Sequence, residues 1–297
     1  MPTSTDSTSR VVAPALPTGP ETYSRGYVDR FNNILRLYFN QIDNALRNAV
    51  ANTVPYNLRV AQGQVSGATA LYQFGFNADV DITEETVWSE GGNFTYPGAA
   101  GEVYISSSDT NDVATTGTGV RTIKVQGLDA NYLQIEEDIA MNGQTQVVTT
   151  KEYLRILKAY VLTAGSNGGS AGTVYVGTTG ATAGVPPTVY ASFGDSNQTQ
   201  MAVYTVPASK TLYIDEIAFT AAIASATNSA TVKLKTRENA TNAFRTRFIQ
   251  VLESNTTVAP FTYSLAIPAK TDIECRAIAT TNNNQISASF EGVLIDG

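Results

Sequence analysis

The apolar residues near the start of the chain recur at alternating spacings of three and four. The first series comprises Val28, Phe31, Leu35, Tyr38, Ile42, Ala45 and Ala49. This spacing is typical of the contact face of a coiled coil. A second series, Ile34, Phe39, Leu46 and Val50, widens the apolar face beyond the needs of a two-stranded coil. The pattern predicts an amphipathic helix over residues 27–54, which ends there because Pro55 disfavours helical geometry at Val54.

The role of this helix has three interpretations, which the sequence leaves open. The helix packs on a β domain of its own chain, associates with copies of itself in a trimeric bundle, or docks onto another protein. For the last two, the residues expected to form the oligomerisation or anchor surface are Val28, Phe31, Leu35, Tyr38, Phe39, Ile42 and Leu46. Residues 1–26 are rich in Pro, Ser and Thr without sustained periodicity, and are predicted to form an extended arm.

Beyond Asn57 the pattern changes to strand-length runs in which apolar and polar residues alternate, separated by clusters of Gly, Asn and Asp. Asn142-Gly143 between two such runs is the strongest hairpin signal. A second series of runs follows the turn at Pro186-Pro187. The sequence therefore predicts a mainly β protein with two jelly-roll or β-sandwich domains, over residues 55–188 and 189–297.

Composition narrows the possible partners. Charged residues make up only 15% of the chain and the net charge is −7. The closest basic grouping is Arg237, Arg245 and Arg247, so nucleic-acid binding is not expected, because phosphate-tracking surfaces need clustered Lys and Arg. No apolar run approaches the roughly 20 residues of a membrane helix, so membrane insertion is not expected. The first residues also lack the basic start and apolar core of a signal peptide.

The candidate chemistry is limited because the chain contains no His. Ser–His and Cys–His catalysis and imidazole–metal sites are thereby excluded. A carboxylate pair is the remaining option, as in glycosidases. The candidates are Glu136, Glu137, Asp138, Asp79, Asp81, Glu84 and Glu85. Glu136 and Glu137 are adjacent in a predicted strand and would face opposite sides, so we expect neither an enzyme nor a cofactor.

Three further features invite a functional interpretation. Asp109, Asn111 and Asp112 offer the hard oxygen ligands that calcium prefers, but they lack the full ligand set of a calcium loop and fit an ordinary Asx-rich turn. Cys275 lies in an alternating run that would bury it as a small apolar residue. Tyr, Ser, Thr and Asn together are suited to loops that face glycans or proteins, although most aromatic residues lie in predicted strands and should fill the core.

Several long stretches resemble virion structural proteins of tailed bacteriophages, in particular phages of aquatic bacteria. The stretches are residues 117–179, which begin "GTGVRTIKVQGL", residues 194–222, which begin "GDSNQTQMAVYT", and the closing "ISASFEGVLIDG". The front segment "RFNNILRLYFNQIDNAL" is similar to the attachment end of phage appendage proteins. The resemblance covers about two thirds of the chain and contains no catalytic signature.

The resemblance implies a non-enzymatic virion protein displayed on the particle surface, as capsid decoration or as a head or neck fibre. Its arm and helix would attach it to other virion proteins, with assembly in the host cytoplasm and release by lysis. The width of the apolar face of the helix predicts a homotrimer. The alternative is a receptor-binding module of a tail fibre or spike, whose C-terminal loops would recognise a host glycan. A carbohydrate-cleaving tail enzyme is the third possibility.

Overall fold

A computed structural model describes residues 14–51, 54–223, 228–238 and 243–297, with only the backbone for residues 48–51. The chain divides into two compact units, Met1–Ser66 and Gly67–Gly297. Part of the predicted arm, residues 1–13, lies outside the described residues, as do the side chains of Ala49 and Val50.

The first unit contains two helices, α1 (Arg25–Ala51) and α2 (Tyr56–Ala61). The α1 helix begins two residues before the predicted start because Ser24 caps it: its hydroxyl oxygen accepts a hydrogen bond of 3.4 Å from the Tyr27 backbone N–H. The described part of the arm has no helix or strand. The Tyr27 hydroxyl donates to the Pro17 carbonyl at 3.0 Å, which ties the arm to the first turn of the helix.

The second unit is built from strands, and the part of it that the structure describes contains sixteen. The strands are β1 (Ala68–Val80), β2 (Glu85–Thr86), β3 (Gly101–Ser107), β4 (Val120–Leu128), β5 (Gln134–Ala140), β6 (Val147–Tyr153), β7 (Arg155–Ala164), β8 (Val174–Gly177), β9 (Val189–Phe193), β10 (Val203–Thr205), β11 (Lys210–Ala222), β12 (Ala230–Glu238), β13 (Arg245–Leu252), β14 (Thr256–Ile267), β15 (Thr271–Ala279) and β16 (Asn284–Asp296).

These strands form four antiparallel sheets. Their orders are β1-β16-β11-β14, then β10-β15-β12-β13 with β2 beside β15, then β6-β3-β8-β9, and finally β5-β4-β7. The first two sheets share one hydrophobic core, which contains Phe219, Phe290 and Leu234. The third and fourth sheets share a second core, which contains Ile105, Ile123 and Val176. Alternating apolar residues line both cores because successive side chains of a strand point to opposite faces.

The mainly β class predicted from the sequence is confirmed, whereas a pair of jelly rolls is not. The predicted boundary between residues 188 and 189 does not coincide with a division between sheets, because β9 pairs with β8. The strand β1 pairs with β16, more than 200 residues later, so the start of the β region belongs with its end. Pairing between distant strands leaves no local mark in the sequence, which explains the difference.

The turn predicted at Asn142-Gly143 is present, and Gly143 has the left-handed conformation that such turns favour, with φ 61°. The predicted hairpin is not formed, since β5 and β6 lie in different sheets. The turn pairs instead with the loop after β3: Gly143 N donates to the Asp112 carbonyl at 2.7 Å, and the Gly143 carbonyl accepts from Ser107 N at 2.9 Å.

Candidate assembly surface

The apolar face of α1 is the strongest candidate for a functional surface. Five of the predicted anchor residues are half-buried, namely Val28, Phe31, Leu35, Tyr38 and Ile42. The other two are more exposed, Phe39 at 61% and Leu46 at 59%. None of the side chains described for Arg25–Arg47 is buried. The periodic stripe is therefore a continuous, incompletely covered apolar surface.

The chemistry of this surface suits association with another apolar surface. Removing a large aliphatic or aromatic side chain from water contributes about 1.5 to 3 kcal/mol. A helix of this length gains most of its stability from packing its apolar face. The pairs Arg25–Asp29 and Arg47–Asp43 lie on exposed side chains and stabilise the helix little. The seven residues predicted as an anchor thus share one helix, and their role in anchoring stays a prediction.

The carboxylates of β5 contact basic side chains and backbone N–H groups. The Glu136 Oε1 atom lies 2.8 Å from Lys124 Nζ, and Asp138 Oδ1 lies 3.2 Å from the same nitrogen. Hydrogen bonds from Lys124 and Gln126 lower the pKa of the Glu136 carboxyl. Glu137 points to the opposite side, where it accepts hydrogen bonds from the backbone N–H groups of Thr150 and Lys151. Glu136 is therefore held as a carboxylate, and Glu137 joins β5 to β6.

The second group of carboxylates has mainly structural contacts. Glu85 is 7% exposed and accepts hydrogen bonds from Asp81 N, Asn77 Nδ2 and Gly92 N. Glu84 contacts two lysines of β12: its Oε2 lies 2.5 Å from Lys233 Nζ, and its Oε1 contacts Lys235 Nζ. Burial acts to raise the pKa of Glu84, but the hydrogen bonds from the two lysines outweigh burial and lower it to about 2.

The lowered pKa of Glu84 predicts a pH dependence. A carboxyl whose pKa is lower in the folded state stabilises the protein above its unfolded pKa and loses that contribution as pH falls towards the folded value. We expect Glu84→Gln to reduce the free energy of unfolding by about 2 kcal/mol at pH 7. The difference from the native protein should shrink as pH falls from about 4.5 to 2. Denaturant titrations of both proteins at several pH values measure this difference in the free energy of unfolding.

Glu136→Gln is the matched control for this experiment, because the Glu136 side chain is 53% exposed. Exposed ion pairs contribute about 0 to 1 kcal/mol, so the control should differ little from the native protein at any pH. A Glu84→Gln effect that stays constant from pH 7 to pH 2 would contradict the assignment of Glu84 as the titrating group.

The Asp109–Asp112 loop is organised around the buried side chain of Asp112. Asp112 is fully buried, and its carboxylate accepts hydrogen bonds from Ser107 Oγ, Val120 N, Ala171 N and Gly172 N. Asp109 Oδ1 accepts from the backbone and the side chain of Asn111, as in an Asx turn. Within the described ranges, no group of three His, Cys, Asp or Glu residues is arranged to hold a metal ion.

A buried ionic network joins the two cores, and the sequence analysis missed it. Arg155 of β7 donates to Asp272 of β15 through Nε at 2.9 Å and through a terminal nitrogen at 3.2 Å. Arg237 of β12 donates to the same carboxylate at 3.1 and 2.6 Å, and Thr205 donates at 2.6 Å. The Asp272 side chain is only 3% exposed. One carboxylate therefore accepts hydrogen bonds from two guanidinium groups inside the β unit.

Aromatic rings lie close to the guanidinium groups of this network. The Cζ atoms of Arg155 and Arg237 lie 4.7 and 4.5 Å from the centroid of the Tyr96 ring. The Cζ atoms of Arg237 and Arg276 lie 4.7 and 4.4 Å from the centroid of the Phe244 ring. Burial raises the pKa of the Tyr96 phenol well above its usual value, and the nearby carboxylates raise it further. The contacts with aromatic rings stabilise the partly desolvated guanidinium groups. The raised pKa keeps the Tyr96 phenol protonated.

Cys275 and Trp88 lie in the cores. Cys275 is fully buried, as predicted, and burial raises the pKa of its thiol. Trp88 is 5% exposed, and its ring packs edge-on against Phe94 at 5.1 Å. Neither side chain faces solvent. No helix among the described residues is both long and apolar enough to cross a membrane.

No protein-family model matches the chain, and comparison with curated proteins finds no match. Among solved structures, the chain is similar to a structure of infectious bursal disease virus, Gt strain, with 11% identity, a TM-score of 0.18, and coverage of 82% of this chain and 78% of that chain. A crystal structure of the VP2 subviral particle of infectious bursal disease virus gives 10% identity, a TM-score of 0.21 and coverage of 82% and 78%. TM-scores of 0.18 and 0.21 do not establish a shared fold or a shared function.

Proposed function

We propose that this protein is a non-enzymatic structural component of a tailed-phage virion. The N-terminal arm and α1 attach it to the particle, and the β unit is displayed on the surface, as capsid decoration or as a head or neck fibre. The observation that carries the proposal is the continuous apolar face of α1, on which none of the side chains described for Arg25–Arg47 is buried. The resemblance of the β region to virion structural proteins supports the same role.

The two units suit a division between attachment and display. Every residue of the two hydrophobic cores belongs to the β unit. Each core is shared by two of the four sheets. A unit with its own cores can fold without the help of a partner. The helix, by contrast, exposes Leu37, Phe39 and Leu46 by more than half. Attachment through α1 would cover these residues and leave the surface of the β unit free.

The expected oligomer is a homotrimer. Its basis is the width of the apolar face, since the second series of apolar residues on α1 lies beside the first and suits contact with two neighbouring helices. Other virion proteins of the capsid, neck or tail would hold the trimer on the particle. Assembly would take place in the host cytoplasm, with release by lysis.

The runner-up function is receptor binding by a tail fibre or spike, with a host glycan as ligand. Exposed aromatic residues on the β unit favour it, because Tyr263 is 89% exposed and Tyr72 is 62% exposed. A tyrosine presents a rigid apolar ring together with a polar hydroxyl, which suits contact with sugars and proteins.

Immunogold labelling of intact particles tests the proposal. Antibodies against residues 67–297 should label the whole capsid or the neck, because the β unit is displayed outward. A preimmune serum is the control, and an antibody against residues 14–51 should label much less because attachment covers the helix. Label confined to the tail tip would favour receptor binding, and purified particles that lack the protein would overturn a structural role.

A further inference from the structure

A cleft of about 460 Å³ opens in the β unit between two strands at sheet edges. One wall is Thr69–Gln73 of β1, and the opposite wall is Gln134–Glu136 of β5. The strands β1 and β5 lie at the ends of their sheets. Leu157, Lys158 and Tyr204 also line the cleft. Its size falls within the range of about 300 to 1,000 Å³ that is typical of small-molecule sites.

Two buried polar side chains in the cleft have unused hydrogen-bonding capacity. Gln73 is 8% exposed, and its amide nitrogen donates to the carbonyls of Met201 and Val203 at 2.7 and 3.0 Å. Its amide oxygen accepts no hydrogen bond from the described residues. Tyr204 is 4% exposed, and its hydroxyl also makes no hydrogen bond within the described ranges. Both atoms are accessible to solvent, so they are free to bind the hydroxyl or amide groups of a ligand.

One negative and one positive side chain line the cleft, and each already contacts a neighbouring side chain. Glu136 is held by Lys124 at 2.8 Å and by Gln126 at 3.0 Å. Lys158 Nζ lies 5.5 Å from the centroid of the Tyr160 ring. One anion and one cation therefore line the site, beside the three amides of Gln73, Gln126 and Gln134. Side-chain amides donate and accept hydrogen bonds, as sugar hydroxyls do, so the lining suits a neutral ligand.

An aromatic ring stands at the cleft. Tyr72 lines it and is 62% exposed, and its ring is stacked near Phe74 at 5.9 Å between centroids. An exposed ring offers a flat apolar surface for the C–H groups of a pyranose. Leu71, Leu157 and Leu294 supply further apolar contact inside the cleft.

We propose that this cleft binds a neutral saccharide of one or two hexopyranose units. The proposal goes beyond a structural role in the virion and does not depend on it. An extended peptide paired with the edge of β1 is the competing occupant. Backbone pairing at that edge would leave the Tyr204 hydroxyl and the Gln73 amide oxygen without partners, whereas the hydroxyls of a sugar can satisfy both.

Saturation-transfer NMR on the full chain tests the proposal with maltose, lactose and chitobiose, and a binding isotherm gives the dissociation constant of each sugar that binds. We expect magnetisation transfer from the protein to at least one of the three sugars. Tyr72→Ala should weaken its binding about fivefold to tenfold, because it removes the exposed ring. Tyr204→Phe should weaken it about threefold to tenfold, because it removes only the unpaired hydroxyl and should leave folding unchanged. Tyr263→Ala is the matched control, since it removes an 89% exposed ring outside the cleft.

The outcomes separate the alternatives. Weaker binding in both cleft variants with unchanged binding in Tyr263→Ala supports the saccharide site. The absence of magnetisation transfer to all three sugars, each at about 20 mM, would overturn the proposal, because this concentration exceeds a dissociation constant of about 1 mM. Equal binding by the native protein and both cleft variants would also overturn it, since the sugar would then bind elsewhere. Binding of an extended heptapeptide, with none of the sugars, would assign the cleft to peptide pairing instead.

Discussion

The double substitution Leu35→Asp with Ile42→Asp is expected to convert the proposed homotrimer to a monomer while the β unit remains folded. Both residues lie seven positions apart in the first apolar series of α1 and are half-buried. Each loses part of the roughly 1.5 to 3 kcal/mol that complete burial of such a side chain contributes, and two carboxylates would enter an apolar contact. The combined loss exceeds what most helix associations of this size can tolerate.

Multi-angle light scattering on tens of micromolar protein measures the molar mass and therefore the oligomeric state. A melting curve on the same sample shows whether the protein is folded. The matched control is Asn33→Asp with Asn40→Asp, which adds the same two charges with the same spacing at exposed positions of α1. This control should remain oligomeric. The melting temperature of the double apolar variant should stay within about 2 °C of the native value, because both cores of the β unit are built from residues after Gly67.

Two results would contradict this account of α1. A native protein that is strictly monomeric at these concentrations would argue against self-association and leave attachment to another virion protein as the role of the helix. A large fall in melting temperature with unchanged assembly would show that the helix belongs to the core of its own chain. In a particle-incorporation assay, the same double variant should be absent from purified virions.

Asp272→Ala is expected to lower the melting temperature of the β unit by roughly 6 to 20 °C. The Asp272 carboxylate accepts hydrogen bonds from Arg155 and Arg237, whose side chains are 9% and 18% exposed. Removal of the carboxylate leaves two largely buried cations next to each other without the anion that they share. Loss of one partner of a buried ion pair typically costs about 3 to 5 kcal/mol. Thermal unfolding followed by circular dichroism measures the change.

Asp138→Ala is the control for this prediction, because it removes an exposed carboxylate 3.2 Å from Lys124 and should change the melting temperature by less than about 3 °C. Replacing Asp272, Arg155 and Arg237 together with Leu, Met and Met should recover part of the loss, since apolar side chains can replace a buried ionic group. A melting temperature for Asp272→Ala equal to that of Asp138→Ala would show that the network contributes little to stability.

The features that the sequence determined by itself depend on local periodicity. The three–four spacing of apolar residues specified α1 and its apolar face, because the side chains of a helix repeat every 3.6 residues. Alternation specified most of the strands, and it correctly placed Cys275 in a core. Asn142-Gly143 specified a turn with a left-handed glycine, because that conformation strains other residues.

The tertiary structure alone decided which distant segments meet. Arg155 and Asp272 are 117 residues apart, and no local pattern marks them as partners. Asp112 is a candidate cation ligand in the sequence, but backbone N–H groups from Val120, Ala171 and Gly172 surround it and make it a structural residue. The cleft exists because β1 and β5 both end their sheets, which follows from strand order. Strand order is set by long-range pairing and core packing, and these depend on the whole chain, not on any short stretch of it.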